Sequence, residues 1–167
     1  MPYPEALVLP MRAELTRLGV RELRTATDVD ATFAEAAGKT LLLVINSVCG
    51  CAAAMARPAI ALAGQHEQQP DIAATVFAGQ DLEATVRARE YLAGIPPSSP
   101  FIALFKDGDV AYVIARHHIE GRSAQAIASD LAQAYSKYCG TDAAAEDMPE
   151  TPVFEPVYRA ATFRSIR

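Results

Sequence analysis

The sequence predicts an α/β fold of three layers, with a mixed central sheet, helices on both faces and an extra N-terminal helix. Leu41-Leu42-Leu43-Val44-Ile45 is apolar on both faces, as a strand covered from both sides must be. Helical segments alternate with the early strands, which requires crossovers and parallel pairing. Lys106-Asp107-Gly108-Asp109 is a tight turn between two apolar runs, which requires an antiparallel edge. After the first helix the predicted order is β-α-β-α-β-α-β-β-α.

Leu7, Met11, Leu15 and Leu18 recur at helical spacing and define the predicted buried face of the first helix. Pro10 is expected to start or kink that helix, and Gly19 to stop it. Val20 to Thr25 reads as a short strand, followed by a helix with Thr27 as its N-cap and Gly38 beyond its end. The apolar strand Leu41 to Ile45 runs into the alanine-rich segment Ala52 to Ala63, which favours helix and should bend at Pro58. Ile72 to Ala78 is a second strand rich in β-formers. Asp81 is the expected cap of a helix reaching Leu92. After the loop Ile95 to Pro100, Phe101 to Phe105 and Val110 to Ala115 form the hairpin. Ser123 caps the last helix, with Ala124, Ile127, Leu131 and Tyr135 on one face. The division expected is a domain over residues 1–140 and a C-terminal extension over 141–167. That extension is polar and acidic at first. It then carries Phe154, Tyr158 and Phe163, which either move freely or dock on the domain or on a second subunit of a homodimer.

The chain has 167 residues, enough for an adequate core in one domain. Its net charge of −5, without a basic patch, argues against a sequence-independent grip on nucleic acid. No apolar run reaches the length of a bilayer span, so no membrane partner is expected. Met1-Pro2-Tyr3-Pro4-Glu5 has no basic region leading into an apolar core, so the expected location is the cytoplasm.

In a reducing cytoplasm a close cysteine pair is more often catalytic or metal-binding than a structural bridge. Cys49 and Cys51, separated by Gly50, sit where the buried strand should hand over to a helix. Free N–H groups and the positive dipole end at a helix start favour a thiolate, the species that attacks disulfides. Cys49, at the predicted N-cap, is the candidate nucleophile. Cys51, one step inside the helix, is the candidate second redox group. Gly50 is expected to let the backbone bend between the sulfurs. A bridge closing so small a ring should be strained and easily released, which suits exchange rather than stapling.

Cys139 is expected to be a partly buried, unreactive thiol. His66 is expected in solvent, and His117 and His118 at the surface or supporting the site. Arg57 is expected to be a solvated charge, although a positive group near the sulfurs would favour the thiolate. Structural zinc would want four ligands where Cys-x-Cys supplies two, and adjacent histidines on a strand point apart. The exchange steps need neither a metal nor a bound organic cofactor.

The stretches Asn46-Ser47-Val48-Cys49-Gly50-Cys51-Ala52, Ala56-Arg57-Pro58, Ser98-Ser99-Pro100 and Ile119-Glu120-Gly121-Arg122 resemble the bacilliredoxin family of thioredoxin-like proteins. Leu9-Pro10-Met11-Arg12 and Tyr138-Cys139 carry the same resemblance, which spans Tyr3 to Gly140. It implies removal of bacillithiol, a low-molecular-weight thiol, from S-thiolated client proteins, with Cys49 attacking and Cys51 as the second redox cysteine. Thioredoxin-like folds carry a cis-proline before the strand that begins here at Phe101. The analogy makes Ser99 and Pro100, with Gly50, the expected substrate-binding residues. Family members have also been considered disulfide isomerases, so general isomerase or reductase activity is the enzymatic alternative. A metal-binding or thiol-sensing module is the non-enzymatic one. The tail from Thr141 looks longer than usual for the family.

Overall fold

A computed structural model describes residues 1–140. The expectations placed on residues 141–167, docking by Phe154, Tyr158 and Phe163 among them, lie outside the described residues.

The chain runs α1 (Glu5–Thr16), β1 (Arg21–Glu22), α2 (Ala26–Glu35), β2 (Thr40–Asn46), a π-helical turn (Ala52–Ala56), α3 (Arg57–Ala63), β3 (Ile72–Phe77), α4 (Leu82–Glu90), β4 (Phe101–Lys106), β5 (Asp109–Ile114), α5 (Arg116–Ile119) and α6 (Ala124–Tyr138). The five-stranded sheet has the order β1-β3-β2-β4-β5. β3 pairs in parallel with β1 and β2, and β4 is antiparallel to β2 and β5. The α/β class, mixed sheet and N-terminal helix are those the sequence predicts.

Every residue of central β2 is buried. Its alternation divides the core. Leu41, Leu43 and Ile45 pack with Val29 and Phe33 of α2 and Ala84 and Ala88 of α4. Leu42 and Val44 face Ala59 and Ile60 of α3, Ile127, Leu131 and Tyr135 of α6, and Leu15 of α1. Each fully buried leucine or isoleucine contributes about 1.5–3 kcal/mol, so this strand is a large share of the stabilising burial. Asp107 and Gly108 both take positive φ (50° and 78°), the two-residue hairpin geometry for which Asp-Gly is suited.

Several local expectations are corrected. α1 begins at Glu5 and runs through Pro10, and it buries Val8, Arg12 and Leu15, while Leu7 and Leu18 are exposed. Leu15 is buried as expected, while Val8 and Arg12 take the inward places expected of Leu7 and Met11, and Arg12 is held there by Glu22 of β1 and by Asp81. Thr25, not Thr27, caps α2. Its hydroxyl accepts from Asp28 N–H while the Asp28 carboxylate accepts from Thr25 N–H, a reciprocal capping box. Asp81 stands at the N-cap of α4, but its side chain makes no cap bond because Arg12 holds both its oxygens.

Candidate active site

The register fixes where the site is assembled. Ile45 of β2 opposes Phe101 of β4, so the end of β2 and the start of β4 share one sheet edge. Cys49 lies three positions beyond β2, and Pro100 immediately precedes β4. The Ser99–Pro100 peptide is cis, as the analogy with thioredoxin-like folds expects. Ser98 Oγ accepts from Arg116 N–H at 3.2 Å, and Ser99 O accepts from Arg116 Nη1 at 3.4 Å, which ties the proline loop to α5.

Helix begins at Gly50, so Cys49 stands directly before it. Cys49 O accepts from Ala52 N–H and Ala53 N–H at 3.1 and 3.2 Å, which closes the first turn. Cys49 and Cys51 are half-buried thiols. Burial raises the Cys49 pKa, but hydrogen bonds from the Cys51 thiol, the Ser47 hydroxyl and the N–H groups of Ala52 and Cys51 outweigh it. The net shift is downward from the ordinary thiol value. Cys51 moves the other way. Burial raises it, and so do its hydrogen bond to Cys49 and the negative charge developing there, with Arg116 opposing. Two like groups whose environments push their pKa values apart are suited to different roles.

In the unbridged dithiol form Gly50 makes no use of the backbone freedom expected of it. It is helical and exposed, its φ is not positive, and an added Cβ would meet nothing within 4 Å. The backbone does not need glycine there. What glycine leaves is an open surface beside the sulfurs.

Arg57 is the main correction. It is buried, not solvated. Its Nη1 donates to Ser47 O at 3.0 Å and to Asn46 Oδ1 at 3.1 Å, and its Nε donates to Glu14 Oε2 on α1 at 2.7 Å. The π-helical turn accounts for the difference. Pro58 has no N–H, its ring crowds the carbonyl four residues back, and the helix widens so that Arg57 N–H reaches Ala52 O. One extra residue per turn rotates everything after it by about 100°, which carries Arg57 from solvent to the interior.

The histidines differ from expectation as well. His66 is half-buried, with Nε2 2.8 Å from Ser136 Oγ. His117 and His118 belong to α5, not to a strand, and their rings lie 3.9 Å apart. His118 is buried, its Nδ1 accepts from Ala115 N–H at 3.2 Å, and burial lowers its pKa. Cys139 caps α6, half-buried, and burial raises its pKa. Among the described residues no group of three or more His, Cys, Asp and Glu side chains comes together, and no helix is long and apolar enough to cross a membrane.

Sequence reasoning missed Ser47 and Arg116. Ser47 is buried, with Oγ 3.2 Å from Cys49 Sγ. Arg116 is exposed, and its charge is felt by both Cys49 and Cys51. Ser47 lies two residues before Cys49, a proximity the sequence does display. Arg116 comes to the site only through a short helix that no periodicity announces.

Residues 3–139 match the disulphide isomerase family. Salinibacter ruber has a bacilliredoxin 61% identical over 153 residues, covering 91% of this chain and 90% of the relative. A second bacilliredoxin of the same organism is 54% identical over 171 residues, covering 99% of each chain. Thioredoxin O2 of Arabidopsis thaliana, in its oxidized state, is similar in structure with a TM-score of 0.50 at 15% identity, over 71% of this chain and 96% of that one. At that identity the likeness concerns the fold. The chain belongs to the disulphide isomerase family and to the bacilliredoxins matched with it, and it is a thiol–disulfide oxidoreductase.

Proposed function

We propose that this bacilliredoxin reverses mixed disulfides between client proteins and a low-molecular-weight thiol, bacillithiol in particular, in the cytoplasm. Cys49 is the attacking sulfur and Cys51 the second redox cysteine. The observation that carries this reading is a half-exposed Cys49 sulfur directly before a helix start, with the Ser47 hydroxyl 3.2 Å away and surroundings that lower its pKa. The name borne by the relatives supports bacillithiol as the small thiol.

The Cys49 thiolate attacks the small thiol's sulfur in the mixed disulfide. A bond forms between the two, the client's S–S bond breaks, and the electron pair leaves with the client sulfur, which takes a proton from water. The client is reduced and Cys49 now carries the small thiol. Cys51, losing its proton to solvent, then attacks Cys49 Sγ and expels the small thiol. Alternatively a second small thiol attacks the captured sulfur and returns Cys49 as thiolate. Ser99, Pro100 and the open face over Gly50 are the surface against which the substrate disulfide lies. Neither step calls for a metal or a bound organic group.

Incubation with an S-bacillithiolated client, read by mass spectrometry of intact protein and peptides, tests the proposal. The Cys51→Ser variant should accumulate the thiol on Cys49, and Cys49→Ser should leave the client thiolated. Full activity in Cys49→Ser rejects the assignment. The family match favours a second reading, general disulfide isomerisation. That reading predicts refolding of scrambled substrates with no preference for the small-thiol adduct.

A further inference from the structure

We propose that Ser47 is a catalytic residue of the exchange, its hydroxyl donating a hydrogen bond to the Cys49 sulfur, and that Arg57 and Asn46 hold it in position. This rests on the reading of Cys49 as the attacking sulfur.

Ser47 Oγ lies 3.2 Å from Cys49 Sγ. While both groups are protonated either can donate. A thiolate has only acceptor capacity, so on ionisation the hydroxyl must turn its hydrogen toward the sulfur. Ser47 is 7% exposed, and a hydrogen bond to a charged atom is worth more where water is excluded.

The rest of the network fixes that hydroxyl. Ser47 N–H donates to Asn46 Oδ1 at 2.9 Å, and Ser47 O accepts from Arg57 Nη1 at 3.0 Å, so the backbone is tied on both sides. The same Nη1 reaches Asn46 Oδ1 at 3.1 Å. Burying a guanidinium is costly unless its partners compensate. The carboxylate on Arg57 is Glu14, at the helix surface, and the other acceptors are the neutral oxygens of this turn. A buried cation directed at a carbonyl two residues from the reactive sulfur acts on the thiol turn.

The groups facing Cys49 are Cys51 on its own helix and Arg116 on α5, itself paired with Glu120 at 2.6 Å. Arg57 lies behind the turn with Glu14. Neither Arg116 nor Arg57 is altered by a change at Ser47, so the hydroxyl can be tested separately.

The test is the rate at which iodoacetamide alkylates Cys49 in the full chain, resolved by peptide mass, as a function of pH. Ser47→Ala should move the Cys49 midpoint up by about one pH unit, lowering the rate roughly tenfold below it. Above the midpoint Ser47→Ala should match or exceed the unaltered protein, because a thiolate of higher pKa is the stronger nucleophile. Ser47→Thr, which keeps the hydroxyl, should follow the unaltered protein. An unchanged midpoint in Ser47→Ala, a rate lowered by the same factor at every pH, or a Ser47→Thr profile matching that of Ser47→Ala overturns the inference. An ordinary thiol midpoint for Cys49 in the unaltered protein defeats the Cys49 reading instead.

Discussion

The two buried arginines among the described residues, Arg12 and Arg57, serve different ends. Arg12 is surrounded by carboxylates, with Glu5 at 2.9 Å, Glu22 at 2.5 Å and Asp81 at 2.6 Å, and lies over the Phe77 ring. It joins α1 to β1 and to the start of α4, none of which carries a reactive group. Arg57 has one carboxylate partner among the described residues, Glu14, and directs its remaining fork at the backbone and side chain leading into Cys49. A buried charge matched by opposite charges fastens elements together. A buried charge shared between one exposed carboxylate and the neutral oxygens of a turn also holds a local conformation, here the turn that presents the sulfur.

Substitutions can separate the two roles. Arg12→Met should have the largest effect on stability, about 3 kcal/mol, because it leaves Asp81 and Glu22 partly buried without their cation. Cys49 alkylation in the folded protein should be unchanged, as measured by denaturant titration alongside alkylation rates. A loss of thiol reactivity equal to that of an Arg57 variant would erase the contrast. Arg57→Gln should cost less, about 1–2 kcal/mol, since Glu14 turns to solvent and only neutral acceptors lose a donor. It should also raise the Cys49 midpoint and slow client turnover several-fold at neutral pH. Arg116→Gln should be smallest, lowering Cys49 reactivity less than about threefold, because an exposed charge is screened. That difference should shrink further in high salt, and a salt-independent effect would place Arg116 in direct contact with the substrate.

How far the sequence carries these conclusions depends on the length of chain each signal occupies. The strand Thr40–Asn46 was legible because every residue in it is apolar or at a covered end, and a both-faces-buried strand admits few positions in a sheet. The Cys-Gly-Cys junction and Ser99-Pro100 were legible as local words in the chain. The fate of Arg57 was not, because it depends on how Pro58 reshapes the helix before it. Nor was the fate of Asp81, a good N-cap by composition that tertiary pairing with Arg12 draws away. The Thr25–Asp28 capping box was present in the sequence, three residues apart, but the acidic pair after Thr27 masked it. Long-range polar contacts leave no period in the sequence, and such contacts bring Arg57 and Arg116 to the surroundings of the sulfurs.

The most direct measurement is the pH dependence of alkylation at Cys49, Cys51 and Cys139 in the unaltered protein, each followed by its own peptide. The thiolate is the reactive form, so each rate rises through that sulfur's pKa. With Cys49 lowered and the other two raised by their surroundings, the midpoint of Cys49 should fall below the ordinary thiol value and those of Cys51 and Cys139 above it. A Cys49 midpoint at or above that of Cys51 would contradict the account.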